Sequence, residues 1–257
     1  MIDTHSHIYS EEFDADRNEA IRRAKAAGVR HIILPNVDSE SLPRMLALEA
    51  DYPGYCHAAI GLHPTSVKEN YEDELRWVKL ELDRREYIAI GEIGIDLYWD
   101  KTFLDAQIKV FQQQVKWALE FNLPIIIHVR DSFRETMNAL ASFKNCGLSG
   151  VFHSFTGSLE EAQEIIDFGG FKMGINGIVT FKNSGLSTVT AQIGIEHIIM
   201  ETDSPYLTPV PYRGKRNESA YILYVCEQLS RSLNISKQEV SEKTSENALN
   251  LFKKLLK

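Results

Sequence analysis

What most constrains the fold of this chain is an alternation that runs from one end to the other: short apolar runs separated by amphipathic stretches. The runs are IDTHSH, HIILPN, YCHAAIGLH, YIAIGEIG, PIIIHVR, SGVFHSF, GFKMGING and HIIMETDSP, eight strand candidates. Between them lie helical patterns such as DADRNEAIRRAKAAG, SESLPRMLALEADYP, FLDAQIKVFQQQVKWALEFN and SLEEAQEIIDFG. Strands separated by helices of this length form βαβ units, and such units build parallel sheets. Eight of them in 257 residues match the closed (β/α)8 TIM barrel. The alternative is an open doubly wound sheet, which usually has fewer strands and a Gly-rich first turn; no GxGxxG follows the first strand here. With 44% hydrophobic residues, one barrel spanning residues 1–257 can bury a full core without a second domain.

Charge and cysteine content narrow the function classes. Lys+Arg 28 against Asp+Glu 36 gives a net charge of -8, a field that repels a polyanion overall. Nucleic-acid binding then requires a local basic patch or bound metal. Cys56, Cys146 and Cys226 are odd in number, widely spaced and without CxxC, which argues against a disulfide framework and a thiolate zinc site. A reducing cytoplasm fits. The opening MIDTHSH has no basic or apolar leader, and no run approaches the ~18 apolar residues of a membrane span, so a soluble, unprocessed protein is expected.

Strand side chains alternate faces, so His5 and His7 of IDTHSH should point together while Thr4 and Ser6 point away. An HxH pair alone is weak evidence of a metal site. Its place at the C-terminal end of the first strand adds weight, because barrel enzymes draw catalytic residues from that rim. Other strand ends repeat the chemistry with Glu92 in AIGEIG, His128 in IIIHVR, His153 in VFHSF and Asp203 in METDSP. Charged groups are almost never fully buried unless paired or metal-bound, and this rim lacks enough cations to pair them. Imidazole with carboxylate suits zinc, manganese or iron, and the carboxylates also suit magnesium.

Three further groups, His63 in GLHPT, Arg130 in HVRD and Arg213 in PYRGKR, are positioned to reach the mouth and bind an anionic substrate. Arg130 has an alternative as the partner of Asp131 or another carboxylate. Lys215 and Arg216 should extend the positive patch from Arg213, unless Arg213 and Arg216 pair with acids such as Glu218 and hold the loop shut. Glu201 shares the parity of Asp203 and should orient a ligand or water. Asn36 and Asn176 read as polar lining, and Trp77, Trp99 and Trp117 as packing residues.

These motifs resemble the TatD-like hydrolases of the metal-dependent amidohydrolase superfamily. The likeness runs through DTHSH, IGLHP at 60–64, GEIGID at 91–96, IIIHVRD at 125–131, VFHSFTGS at 151–158, GINGIVTFKN at 174–183 and METDSPYLTPVPYRGKRNE at 200–218. It departs at Ile95, Ser154 and Ser219, none of which is a ligand candidate. The resemblance implies a barrel with two adjacent divalent ions (zinc, magnesium or manganese) and deoxyribonuclease activity of the 3′-to-5′ exonuclease type. It further implies that His5, His7 and Asp203 hold one ion, His128 and His153 the other, and that Glu92 bridges them. Asp203 is then expected to orient and deprotonate the attacking water, with DNA as substrate. A small-molecule amide or ester hydrolase with the same metals is the nearest alternative, because fold alone does not choose a substrate. A metal-stabilised adaptor without turnover would be expected to have lost ligands, and all six are present. A monomer is compatible with the sequence, which does not fix the oligomeric state.

Overall fold

A computed structural model describes residues 1–256. Its strands are β1 (Ile2–Asp3), β2 (His31–Pro35), β3 (Cys56–Ala59), β4 (Ile90–Asp96), β5 (Ile125–Arg130), β6 (Gly150–Phe152), β7 (Phe171–Ile175) and β8 (Ile198–Met200). Neighbours in sequence pair in parallel, as two arcs, β1-β2-β3 and β4 through β8. Two narrow seams close the arcs into a barrel. At one, the Ile88 amide donates to the Ala58 carbonyl and the Gly91 amide to the Ile60 carbonyl, each at 2.9 Å. At the other, the Thr4 amide donates to the Met200 carbonyl (3.1 Å) and the His7 amide to the Ser204 carbonyl (2.7 Å). The (β/α)8 barrel expected from the alternation is the fold observed.

Period-2 patterning sorts the strand residues into two layers. Ile32 and Leu34 of β2, and Ile125 and Ile127 of β5, face the surrounding helices. Ile33, Ile126, Val151 and Ile199 turn inward with Ile2, Ala59 and Ala89. The C-terminal helix α9 (Lys237–Leu251) closes the lower mouth, placing Leu251, Phe252 and Leu255 against that inner cluster. One end of the barrel is thereby sealed with apolar side chains. The polar residues gather at the other.

Inward parity carries the chemistry upward on three strands. Ile126 leads to His128, Val151 to His153, and Ile199 to Glu201 and Asp203. The first strand departs from this rule: alternation from the inward Ile2 would turn Thr4 and Ser6 inward, yet His5 and His7 occupy that side. The strand ends at Asp3, whose buried carboxylate accepts from the Thr202 amide (2.9 Å) and hydroxyl (2.7 Å). Beyond it the chain is held irregularly between β8 and β2, with the Ser6 amide on the Ile33 carbonyl at 3.1 Å, and this break resets the parity.

Candidate metal centre

The six expected ligands converge at the C-terminal mouth. His5 Nε2 lies 3.2 Å from His7 Nε2, 3.1 Å from Glu92 Oε2 and 3.7 Å from Asp203 Oδ1. Glu92 Oε1 faces a different set: His128 Nδ1 at 2.8 Å, His63 Nε2 at 3.4 Å and His153 Nε2 at 3.7 Å. One carboxylate therefore offers each oxygen to a separate donor group. Among the described residues, potential donor atoms gather in three groups: His5, Glu92 and His153; His5, His7 and Asp203; and His63, Glu92 and His128.

Whether these residues fit metal depends on which ring nitrogens carry protons. Tyr9 Oη donates to the Pro35 carbonyl at 2.6 Å, so it must accept from His7 Nδ1, 3.0 Å away. That leaves the His7 Nε2 lone pair facing the centre. His128 Nε2 lies 2.9 Å from Asp96 Oδ2 and Nδ1 2.8 Å from Glu92 Oε1; both carboxylates can only accept, so Asp96 holds the proton on Nε2, and Nδ1, facing Glu92, gives up its proton when a cation takes that place. His153 Nδ1 sits 2.9 Å from Glu201 Oε1, an ion-pair distance without hydrogen-bond alignment, and its Nε2 points inward. His5 Nδ1 is buried without a partner. Lone pairs of His5 and His7 facing each other at 3.2 Å, beside two carboxylates, repel unless a cation or proton lies between them. The donor set fits divalent metal.

His63 has the opposite arrangement. The Thr65 amide donates to its Nδ1 at 3.2 Å and the Thr65 hydroxyl lies 2.6 Å from the same atom. The neutral ring must then carry its proton on Nε2, which makes His63 an N–H donor at the edge of the centre, suited to an anion and not to a metal.

Electrostatics follow burial and neighbours. Burial and the nearby His153 hold His5 well below the ordinary imidazole range, and burial lowers His63. Burial opposes the charge on Glu92, but His5, His63 and His153 outweigh it and keep the carboxyl well below its usual value. Burial likewise opposes charge on His153, yet Glu201, Glu92 and Asp203 push it up to about 10. For Asp203 burial dominates and raises the carboxyl to about 6. Asp203 also adopts φ 56 and Ser154 φ 49, left-handed conformations that side chains other than glycine rarely take and that cluster at functional sites.

Asp96 and Tyr9 set ring orientation, and neither stood out in the sequence. Asp96 had a signal, since it shares the parity of Glu92 at the end of GEIGID. Tyr9 follows the strand and had none. Glu201 lies where parity placed it, fully buried, accepting from the Ser154 amide at 2.6 Å. Gly174 beneath it has no room for a side chain, because a Cβ there would collide with the Glu201 carboxylate. Asn36 and Asn176 are buried but do not line the cavity as expected: Asn36 donates to the Asp38 and Gly61 carbonyls and Asn176 to the Ser154 hydroxyl.

The cationic expectations divide. Arg130 lines the cavity of about 1220 Å³ above the donors, together with His7, His63, Glu92, His128, His153 and Asp203. Among the described residues it forms no ion pair, with Asp131 or any other acid; its guanidinium stacks on Tyr98 at 3.9 Å. Arg213 is not brought to the lining. It is exposed and lies on the Phe181 ring at 3.8 Å. Arg216 is committed to Asp16 (2.6 and 2.9 Å) and Arg23 to Glu218, so this loop is clamped to α1 (Arg17–Ala26) and its neighbours. Trp77 and Trp117 pack as expected, whereas Trp99 is 68% exposed at the cavity rim. A residue at the start of a strand-to-helix loop has no packing obligation that sequence alone reveals.

Comparison with known proteins places the chain among metal-dependent hydrolases. The chain is 39% identical over 254 residues to a Bacillus subtilis protein named uncharacterized metal-dependent hydrolase YabD, covering 98% of this chain and 99% of that one. It is 29% identical to a Yersinia pseudotuberculosis protein named 3'-5' ssDNA/RNA exonuclease TatD, covering 98% and 99%. The crystal structure of the TatD homolog YjjV from Escherichia coli superimposes with a TM-score of 0.91 at 29% identity, covering 98% of each chain. A family model described as TatD related DNase matches residues 2–253, and with it the chain belongs to the TatD family of metal-dependent hydrolases.

Proposed function

We propose that the protein is a phosphodiesterase acting on single-stranded DNA from its 3′ end, with two divalent ions held by His5, His7, Asp203, His128, His153 and the bridging Glu92. The observation that carries this reading is the division of Glu92: Oε2 lies 3.1 Å from His5 and Oε1 2.8 Å from His128, so one carboxylate serves two adjacent donor groups. When bound, the ions would supply a nucleophilic water at neutral pH and neutralise phosphate oxygens. Asp203, with its Oδ1 3.7 Å from both His5 and His7 at the mouth, is the proton acceptor. His63 Nε2–H and Arg130, the lining cation without a carboxylate, bind non-bridging phosphate oxygens. Arg213 has no part in this reading. The likeness to the Yersinia protein named 3'-5' ssDNA/RNA exonuclease supports the substrate class and direction.

The test is incubation of metal-free and zinc-, manganese- or magnesium-loaded protein with single-stranded DNA, duplex DNA, RNA and a panel of amides and esters. Metal-dependent release of nucleotides from the 3′ end of single strands is expected. Turnover confined to amides or carboxylic esters would overturn the proposal in favour of a small-molecule hydrolase.

A further inference from the structure

The rim of the cavity carries a feature the metal chemistry does not use. Tyr98 and Trp99, on the loop between β4 and α4 (Leu104–Phe121), are 54% and 68% exposed. Their rings meet edge to face at 5.0 Å, and the Arg130 guanidinium lies 3.9 Å from the Tyr98 centroid and 5.3 Å from that of Trp99. Rings this exposed forgo much of the burial a packed aromatic gains, so core packing does not explain them.

The loop is also fixed to the centre. Asp96 Oδ1 accepts from the amides of Tyr98 (3.0 Å) and Trp99 (3.1 Å), while Oδ2 of the same buried carboxylate accepts from His128 Nε2 at 2.9 Å. One side chain thus sets both a donor ring and the backbone of the aromatic pair. The platform has a defined position relative to the reacting atoms.

We propose that Trp99, flanked by Tyr98 and Arg130, is a stacking surface for a nucleobase of a single-stranded nucleic acid whose phosphate lies over the Glu92–Asp203 donors. Charge favours this occupant. The cavity lining also carries Glu11, Glu12, Asp38 and Glu40, which repel a polyanion, so a phosphate chain is drawn to the side where Arg130, without an acid partner among the described residues, lies against Tyr98 and Trp99. Stacking on an aromatic face tolerates any base, and Arg beside the ring adds cation–π attraction and a phosphate contact. A duplex keeps its bases paired and stacked internally, so only an unpaired base reaches Trp99. The inference rests on the nuclease reading for its ligand but concerns a different part of the site.

The experiment titrates metal-loaded protein with single-stranded phosphorothioate oligodeoxyadenylate, whose linkages resist the cleavage proposed above, and, separately, with 2-deoxyribose 5-phosphate, which lacks the base. Trp99 emission is read as the difference between wild type and Trp99→Phe, and affinity is read by anisotropy of a labelled oligonucleotide. Quenching by the oligonucleotide and not by the sugar phosphate is expected. Trp99→Ala should weaken oligonucleotide binding about tenfold or more, and Trp99→Phe, which keeps a ring, much less. Absence of Trp99 quenching, equal weakening of both ligands, or a change of oligomeric state in Trp99→Ala, which would make the ring a protein interface, overturns the proposal. Quenching by oligonucleotide in a protein that cleaves no nucleic acid would uphold the platform and refute the nuclease reading.

Discussion

Glu201→Gln separates a residue that orients a ligand from one that contacts metal or substrate. Glu201 is fully buried, lies 2.9 Å from His153 Nδ1 and accepts from the Ser154 amide at 2.6 Å. Glutamine has nearly the same shape and keeps an oxygen for Ser154, so the substitution removes charge and leaves packing in place. With Glu92 and Asp203, that charge is what pushes His153 up to about 10 against burial. Its loss makes the ring less basic and less firmly oriented, and outer partners of this kind are worth about 10–100-fold in metal affinity. At 1.4 kcal/mol per tenfold this is ~1.4–2.8 kcal/mol. The assay is competition with a calibrated chelator, followed by turnover at saturating metal. A dissociation constant raised within that range, with turnover largely restored by excess metal, is expected. An unchanged affinity, or activity that no metal concentration restores, would refute the reasoning and place Glu201 in contact with the ion or the substrate.

Glu92→Gln and Asp203→Asn should each abolish hydrolysis while circular dichroism and cooperative melting persist, because both act at the upper rim and the lower mouth is sealed independently by Phe252 and Leu255. Arg130→Ala should reduce the salt dependence of DNA binding by about one unit of slope, whereas Arg216→Ala should lower the melting temperature and leave the slope unchanged, since Arg216 is bound to Asp16. Equal slopes for the two variants would contradict this division. His57, at the far end of the barrel and 3.1 Å from His31, is lowered by burial to about 4 from an ordinary 6.5. A depressed imidazole favours the folded state fully above pH 6.5 and progressively less as pH falls toward 4. At 1.36 kcal/mol per unit this is ~3 kcal/mol, reduced to about 1–2 kcal/mol for a partly exposed ring. Urea unfolding of metal-free His57→Gln should show an acid loss smaller by that amount, and an identical pH profile would exclude the ring as its source.

The barrel, and the meeting of most candidate ligands at one rim, were legible in the chain because both depend on local periodicity. Eight period-2 runs separated by helical patterns specify the parallel barrel, and inward parity on β5, β6 and β8 carries His128, His153, Glu201 and Asp203 to one rim. Tertiary structure decided what depends on neighbours distant in sequence. The HxH pair faces inward through the break after Asp3, fixed by Thr202, and not through the strand alternation that suggested it. Arg130, Arg213 and Arg216 are alike in sequence. Only the fold sets one over the donors, lays another on Phe181 and pairs the third with Asp16, because a surface cation takes whichever acid or ring the packing brings within reach. The ring protons follow the same logic. Whether a histidine presents a lone pair or an N–H to the centre is set by what meets its far nitrogen, and Tyr9, Asp96 and Thr65 reach His7, His128 and His63 only after the barrel has closed.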